Sequence, residues 1–375
     1  MKIGGITWWR NNYGSILQAY ALQQYLNKQN NIQYEIINQY GKKILSYDNF
    51  WHKIKKIGLK ETFKRAIWKI GFKPLRYRNF NLQNFIDKEM KISNKIYNEE
   101  IIFEANNIYD GFICGSDQIW NPYLVDDKEM YWLSFARKDK IKIAYAPSIG
   151  VDFLDKKQRQ EIESYLLDFT AVSCRENTGT DLLNSIINRC CTTVLDPTLL
   201  VNKELWDNIS KERIMEEEYV FAYFLRGTKE QRKIVEKFGK IHKLKVVSIP
   251  FVELEHKVWY DIKFGDERVW DAAPNDFVNL IRYAKYVFTD SFHSTVFSCI
   301  YHVPFFVFPK IGLAQMNRIV CLQEMLKIKS RVVNSYDDLE CVFKEQINWE
   351  NVENIVDGCR KKSQKYLKDA LERKV

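Results

Sequence analysis

Short apolar runs that stop abruptly at polar loops recur along the whole chain, and amphipathic segments with helical spacing follow several of them. Strands buried on both faces read as such runs, and their alternation with helices implies parallel sheets joined by right-handed crossovers. The pattern begins with Lys2 to Trp8, the loop Arg10-Asn11-Asn12-Tyr13-Gly14 and a helix from Ile16 to Asn27. Ser15 is expected to cap this helix, with Gln18 completing a capping box. Tyr34 to Asn38 follows as a strand, and further strands are expected at Tyr109 to Cys114, Ile141 to Ala146, Phe169 to Cys174 and Thr192 to Leu195.

After the acidic Glu216-Glu217-Glu218 the alternation starts afresh, with strands at Tyr219 to Leu225, Leu244 to Ile249, Tyr286 to Thr289 and Phe305 to Phe308. A chain of 375 residues favours two domains over one. The expected division is 1–205, a domain over 206–350 and a charged C-terminal helix over 351–375. The fold class is α/β, with two Rossmann-like doubly wound domains facing a cleft.

The charge is uneven. Between Lys42 and Arg78 stand twelve basic residues against Asp48 and Glu61, a net +10 in a chain whose total is +9. Phe50, Trp51, Phe63 and Trp68 are among the apolar residues interleaved with them. This suits basic amphipathic helices on an anionic membrane surface, and equally a solvated helical insertion, placed at about 42–100. No nucleic-acid-binding motif accompanies it, so no nucleic-acid partner is expected.

The N-terminus lacks the apolar stretch of a signal peptide and no run of membrane-spanning length occurs. A cytoplasmic protein is expected, peripheral at most to the inner face of the plasma membrane. Eight cysteines show no CxxC pair and no grouping with the five histidines, so no metal site is expected. Dinucleotide, P-loop and nucleophile-elbow motifs are absent.

Chemistry is then sought where strands end, the ligand-binding edge of open α/β sheets. In Thr289-Asp290-Ser291-Phe292-His293-Ser294 an apolar run meets a helix start, so backbone N–H groups that favour anions gather beside a side chain that titrates near neutrality. His293 suits a proton donor loaded together with an anionic substrate, or a histidine that merely fills space. His302, at the end of the same helix, reads as a partner of its negative end. Arg226 before Gly227 suits a phosphate or carboxylate, and also an ordinary surface arginine. Arg175 stands in the same relation to its strand, although Glu176 beside it allows a structural ion pair. Asp117, in Gly115-Ser116-Asp117-Gln118, can orient or deprotonate a hydroxyl, or cap a turn. Ser148 lies in a similar loop after its strand.

Asn12-Tyr13-Gly14-Ser15-Ile16-Leu17-Gln18, the segment from Gly115 to Pro122, Val194-Leu195-Asp196-Pro197-Thr198 and Thr289 to His293 together resemble the polysaccharide pyruvyl transferase family, over the first strand to about residue 330. The resemblance implies a GT-B-like pair of domains. It also implies transfer of a pyruvyl group from phosphoenolpyruvate, the donor substrate, to sugar hydroxyls as a ketal during synthesis of capsule, exopolysaccharide or another surface glycan. No cofactor is implied. The acceptor is expected to be a sugar or lipid-linked oligosaccharide. His293 becomes the candidate acid and Asp117 the candidate base. Arg226, Ser291, Ser294, Asn12, Gly14, Ser116, Ser148 and Arg175 become candidate substrate contacts. Members similar to characterised ketal pyruvyl transferases carry arginine two positions before the histidine, where this chain has Ser291. Arg318, or else Lys310, is expected to compensate. The alternatives are a GT-B glycosyltransferase using a nucleotide sugar and a non-catalytic, membrane-associated glycan-binding protein. The His293 helix lacks the acidic residue of many retaining glycosyltransferases.

Overall fold

The computed structural model describes residues 1–40, 73–125, 128–187, 190–251, 260–310 and 316–373. Most of the basic segment, 42–72, lies outside them. The described residues form two compact units, one from 1–40, 86–201 and 358–373, the other from 73–85 and 202–357. The first unit therefore ends at Val201 rather than 205 and regains the chain at Gly358.

Unit 1 contains the strands β1 (Lys2–Ile6), β2 (Gln33–Gln39), β3 (Ile92–Tyr97), β4 (Gly111–Cys114), β5 (Ile141–Ala144), β6 (Ala171–Cys174) and β7 (Thr192–Thr193). They form one sheet in the order β3-β2-β1-β4-β5-β6-β7, and every pairing is parallel. The expected helical insertion at 42–100 is thus corrected at its end, because 92–97 is an edge strand beside β2. Unit 2 contains β8 (Tyr219–Tyr223), β9 (Lys245–Ser248), β10 (Glu267–Arg268), β11 (Tyr286–Thr289) and β12 (Phe305–Val307). Their order is β10-β9-β8-β11-β12, again all parallel. Each sheet reverses its strand order once, between β1 and β4 in unit 1 and between β8 and β11 in unit 2. Rossmann-like sheets bind ligands at the carboxyl ends of the strands flanking such a reversal.

The cores explain the apolar runs. β4, β5, β6 and β8 are buried along their whole lengths, as strands covered on both faces must be. In unit 1 Phe112, Ala144 and Val172 pack with Trp120 and Trp132, whose rings stack at 4.1 Å and 11°. In unit 2 Phe238 lies against Phe288 and Phe306, which stack on each other at 4.7 Å. The C-terminal helix, Trp349–Glu372, ends in unit 1, where Ser363 Oγ accepts from Leu195 N at 2.9 Å and Tyr366 Oη donates to Ala144 O at 2.9 Å. Five of the eight cysteines are buried and all are free thiols.

The helix Lys73–Glu89 tests part of the membrane-surface reading. Arg78 is buried, donating to Trp270 O at 2.8 Å and Pro250 O at 2.7 Å, so this charge of the basic segment serves the fold of unit 2. Arg76, Tyr77 and Phe80 are exposed. No helix among the described residues is long and apolar enough to cross a membrane.

Close packing at β1 leaves no room for a side chain at Gly5, where a Cβ would stand 2.0 Å from the hydroxyl and 2.5 Å from Cζ of buried Tyr34. At Gly358, inside the C-terminal helix, a Cβ would meet nothing within 4 Å. Urea unfolding should therefore show Gly5→Ala destabilised by about 1–3 kcal/mol through overpacking. Gly358→Ala should gain about 0.5–1 kcal/mol from helix propensity.

Candidate active site

In unit 1 the loops beyond β1, β4, β5 and β6 are gathered by buried polar side chains. Asn12 caps the helix Tyr13–Asn27, its Oδ1 accepting from Gly14 N at 2.9 Å and Ser15 N at 3.4 Å. This corrects the expected cap at Ser15. The helix begins one turn earlier, and Gln18 reaches sideways instead, donating to Thr7 Oγ1 at 3.0 Å and Trp8 O at 2.8 Å and accepting from Ser116 N at 3.1 Å. Ser15 Oγ donates to Asp117 Oδ2 at 2.6 Å, and Asp117 Oδ1 accepts from Gln118 N at 2.9 Å. The carboxylate so held sits on left-handed backbone, with φ of 71° at Asp117. Ala146, beyond β5, is left-handed too at 54°. Non-glycine residues in this region are strained, and such strain concentrates at functional sites. Gly115 has φ of 113°, and a Cβ there would lie 2.0 Å from Tyr145 O, so only glycine fits the turn.

Ser116, Ser148 and Arg175 face inward. Ser116 Oγ donates to Ala146 O at 2.9 Å and contacts Asp196 Oδ2 at 3.0 Å. Arg175 Nη1 meets the same Asp196 oxygen at 2.6 Å, and the two side chains are 3% and 1% exposed. Asp196 Oδ1 also accepts from Thr198 N at 3.0 Å. Arg175 therefore pairs with Asp196, and Glu176 gathers another loop, its Oε1 accepting from Ser148 Oγ at 2.9 Å, Ile149 N at 3.0 Å and Gly150 N at 3.2 Å. The structure gives these three expected substrate contacts partners inside the protein, where they brace the strand-end loops.

In unit 2 a single carboxylate joins the two strands at the reversal. Asp290, fully buried after β11, accepts from Leu225 N at 2.7 Å on one oxygen and from Arg226 N at 2.8 Å on the other. Thr289 Oγ1 adds a bond to Tyr223 O at 2.7 Å. The backbone of Arg226 is thereby fixed against the start of the helix Phe292–Ile300, while its side chain is exposed. Ser291 is the N-cap of this helix, its Oγ accepting from Ser294 N at 3.4 Å. His293 follows in the first turn, 6% exposed, with its ring edge-on to Phe292 at 5.2 Å. Ser294 Oγ is buried with no hydrogen-bond partner among the described residues. Arg318, in the helix Asn317–Met325, places its guanidinium 5.6 Å from the Phe292 ring centroid, beside the His293 helix. Lys310 lies just beyond β12 and is partly exposed.

His302 stands at the end of the His293 helix, directly after its C-cap Tyr301. It lies past the helix end with φ of 56°, stacks on Trp349 at 5.2 Å and meets Glu353 Oε1 at 3.1 Å. Burial pushes its pKa down.

Sequence reasoning read Asp290 and Asp196 only as members of their motifs and Gln18 only as part of a capping box, and gave none of the three the partner it has. A carboxylate or amide directly at a strand end or helix start is the available signal, but it does not name the partner. Nothing local in the sequence indicates that Gln18 bonds to a residue 98 positions away.

Two parallel-sheet, Rossmann-like units with polar clusters at their strand reversals define a GT-B-like α/β protein. Solved structures similar in fold include UDP-N-acetylglucosamine 2-epimerase from Rickettsia bellii, with a TM-score of 0.57 and 10% identity, covering 98% of this chain and 96% of that one. UDP-GlcNAc 2-epimerase from Neisseria meningitidis, bound to UDP-GlcNAc, gives 0.54 and 8% with 99% of both chains covered. The enzyme of the same name from Methanocaldococcus jannaschii gives 0.53 and 11% with 93% of both covered. No curated protein sequence matches the chain. The family model for polysaccharide pyruvyl transferase matches residues 12–309, and the chain belongs to that family. Membership makes it a transferase of polysaccharide synthesis acting on a sugar or oligosaccharide acceptor.

The buried pair gives a sharp expectation for stability. Asp196→Asn removes the carboxylate that buried Arg175 contacts at 2.6 Å, and urea unfolding should show a loss of up to about 3–5 kcal/mol. Loss within the few tenths usual for surface changes would show that Arg175 finds another partner.

Proposed function

We propose that this protein transfers the pyruvyl group of phosphoenolpyruvate to two hydroxyls of a sugar, forming a cyclic ketal on a cell-surface glycan. The observation that carries the reading is the β8–β11 reversal, where Asp290 ties the Arg226 loop to the helix start that bears His293. A phosphate and a carboxylate both need cationic groups and N–H donors, which the exposed Arg226 and the first turn of this helix offer. Ser291 is engaged as N-cap, and Arg318 beside Phe292 is the candidate for the second cationic clamp.

In this reading His293 gives its proton to the methylene carbon of phosphoenolpyruvate. The neighbouring carbon becomes oxocarbenium-like and forms a bond to the oxygen of an attacking sugar hydroxyl, whose proton passes to a base. Asp117 is proposed for that step. A second hydroxyl then forms the other C–O bond, losing its proton as the bond to phosphate breaks and inorganic phosphate leaves. Asn12 and Gly14, at the start of the first helix of unit 1, serve to position the loop beyond β1. Work at an anionic membrane would bring the enzyme to a lipid-linked acceptor, drawn there by the charge of the basic segment 42–78, most of which lies outside the described residues. The fold it shares with enzymes named for UDP-GlcNAc supports one competitor, a transferase taking a nucleotide sugar. Thermal shift with phosphoenolpyruvate beside UDP and GDP sugars separates the two.

General acid catalysis contributes roughly 10²–10⁴-fold, so His293→Ala should cost about that factor in phosphoenolpyruvate-dependent ketal formation while keeping its melting temperature. Arg226→Ala and Arg318→Ala should each raise the KM for phosphoenolpyruvate. Undiminished turnover in His293→Ala would remove the histidine from the mechanism, and unchanged donor binding in Arg318→Ala together with Lys310→Ala would end the idea of compensation.

A further inference from the structure

Arg10, just beyond β1, is held in a cradle that the reading above does not use. The carbon of its guanidinium lies over two aromatic rings, 3.6 Å from the centroid of Trp9 and 3.7 Å from that of Tyr40. Nη1 donates to Gln39 O at 3.1 Å and Nη2 donates to Asn38 Oδ1. The cradle is itself braced. Trp9 Nε1 donates to Gln39 Oε1 at 2.9 Å, Gln39 Nε2 donates to Thr7 O at 2.7 Å, and Tyr40 N donates to Tyr97 O at 2.9 Å at the end of β3. Trp9 is 4% and Gln39 5% exposed, so that side of the cradle is set by the core, while Tyr40 is only partly buried.

All of these partners are neutral. No carboxylate among the described residues pairs with Arg10, and burial pushes its pKa down to about 10, which leaves it charged at neutral pH. A partly buried cation normally finds a counter-charge, because desolvation without one is costly. Three of its five N–H donors make no hydrogen bond to the described residues. A guanidinium held between rings with N–H donors to spare suits the oxygens of a carboxylate or phosphate. The cradle stands beside the β1–β4 reversal, and Thr7 connects it to the Asp117 loop through a bond from its Oγ1 to Ser116 O at 3.0 Å. Trp8, half-buried next to it and edge-on to Tyr131 at 6.5 Å, lends an aromatic flank of the kind that sugar rings contact.

We propose that the Arg10 cradle, built by Trp9, Gln39 and Tyr40, binds an anionic oxygen group on the acceptor, so that this enzyme takes an acidic or phosphorylated sugar. The inference rests on the transferase reading for the word acceptor, but the binding itself does not depend on turnover. The anion has two sources, a phosphate linkage at the reducing end or a uronic acid carboxylate.

The test is titration calorimetry of the full chain with glucose 1-phosphate, glucuronic acid, glucose and phosphoenolpyruvate, for wild type, Arg10→Met and Arg10→Lys. At least one anionic sugar should bind wild type at least tenfold more tightly than Arg10→Met, with Arg10→Lys between them, because lysine keeps the charge without the fork. Dependence confined to glucose 1-phosphate assigns the phosphate, and dependence confined to glucuronic acid assigns the carboxylate. Glucose and phosphoenolpyruvate should show no dependence on Arg10. Three outcomes overturn the proposal: neither anionic sugar binds wild type, both bind Arg10→Met equally well, or phosphoenolpyruvate alone responds to Arg10. If Arg10→Met unfolds, the comparison of wild type with Arg10→Lys decides by the same criteria. Arg10-dependent sugar binding without any phosphoenolpyruvate turnover would leave this site standing and remove the proposed donor.

Discussion

Two buried carboxylates, Asp196 and Asp290, hold the working edges of the two sheets. All strands within a sheet are parallel, so every strand ends at the same edge and hands its chain to a loop whose N–H groups have lost their ladder partners. An acceptor-only side chain placed at that edge satisfies several donors at once. Asp290 takes the N–H groups of Leu225 and Arg226, and Asp196 takes Arg175, Ser116 and Thr198. Within each unit the loops at these ends gain their fixed geometry from such bonds.

The strands were legible because burial on both faces leaves a plain apolar run, as in Gly111–Cys114 and Tyr286–Thr289. β3 was not. Its sequence Ile92-Ser93-Asn94-Lys95-Ile96-Tyr97 is polar because it is an edge strand with three consecutive exposed positions, and charge on an edge guards against pairing with another chain. β10 is two residues long, Glu267 and Arg268, which leaves no pattern to read. At the candidate site, position along the chain was legible and partnership was not. Asp117 was readable both as a turn cap and as a poised carboxylate, and the structure shows the turn bond to Gln118 N together with a second bond from Ser15, 102 residues away. Tertiary contacts of that range leave no trace in local periodicity. Arg10 shows the same limit, since a lone arginine in a polar loop gives no sign that two rings and a backbone carbonyl converge on it.

Ser291 shows how a departure from a family pattern can be absorbed. At the N-cap, serine serves the helix better than arginine, because its short hydroxyl can accept from the N–H three residues on, as it does from Ser294 N. The gain is local and secures the helix start that carries His293. If the proposed donor is right, the cationic clamp that an arginine would have offered comes from a different element. Arg318 is in a position to take that part because its own helix packs beside Phe292, the residue between Ser291 and His293. Such a division of labour would separate two demands, fixing the backbone and balancing the substrate charge, that one side chain at position 291 could not meet equally well. In the proposed reading the charge of the site then depends on how the helix Asn317–Met325 is placed, so changes in that helix should act on donor binding without touching the residues of the His293 turn.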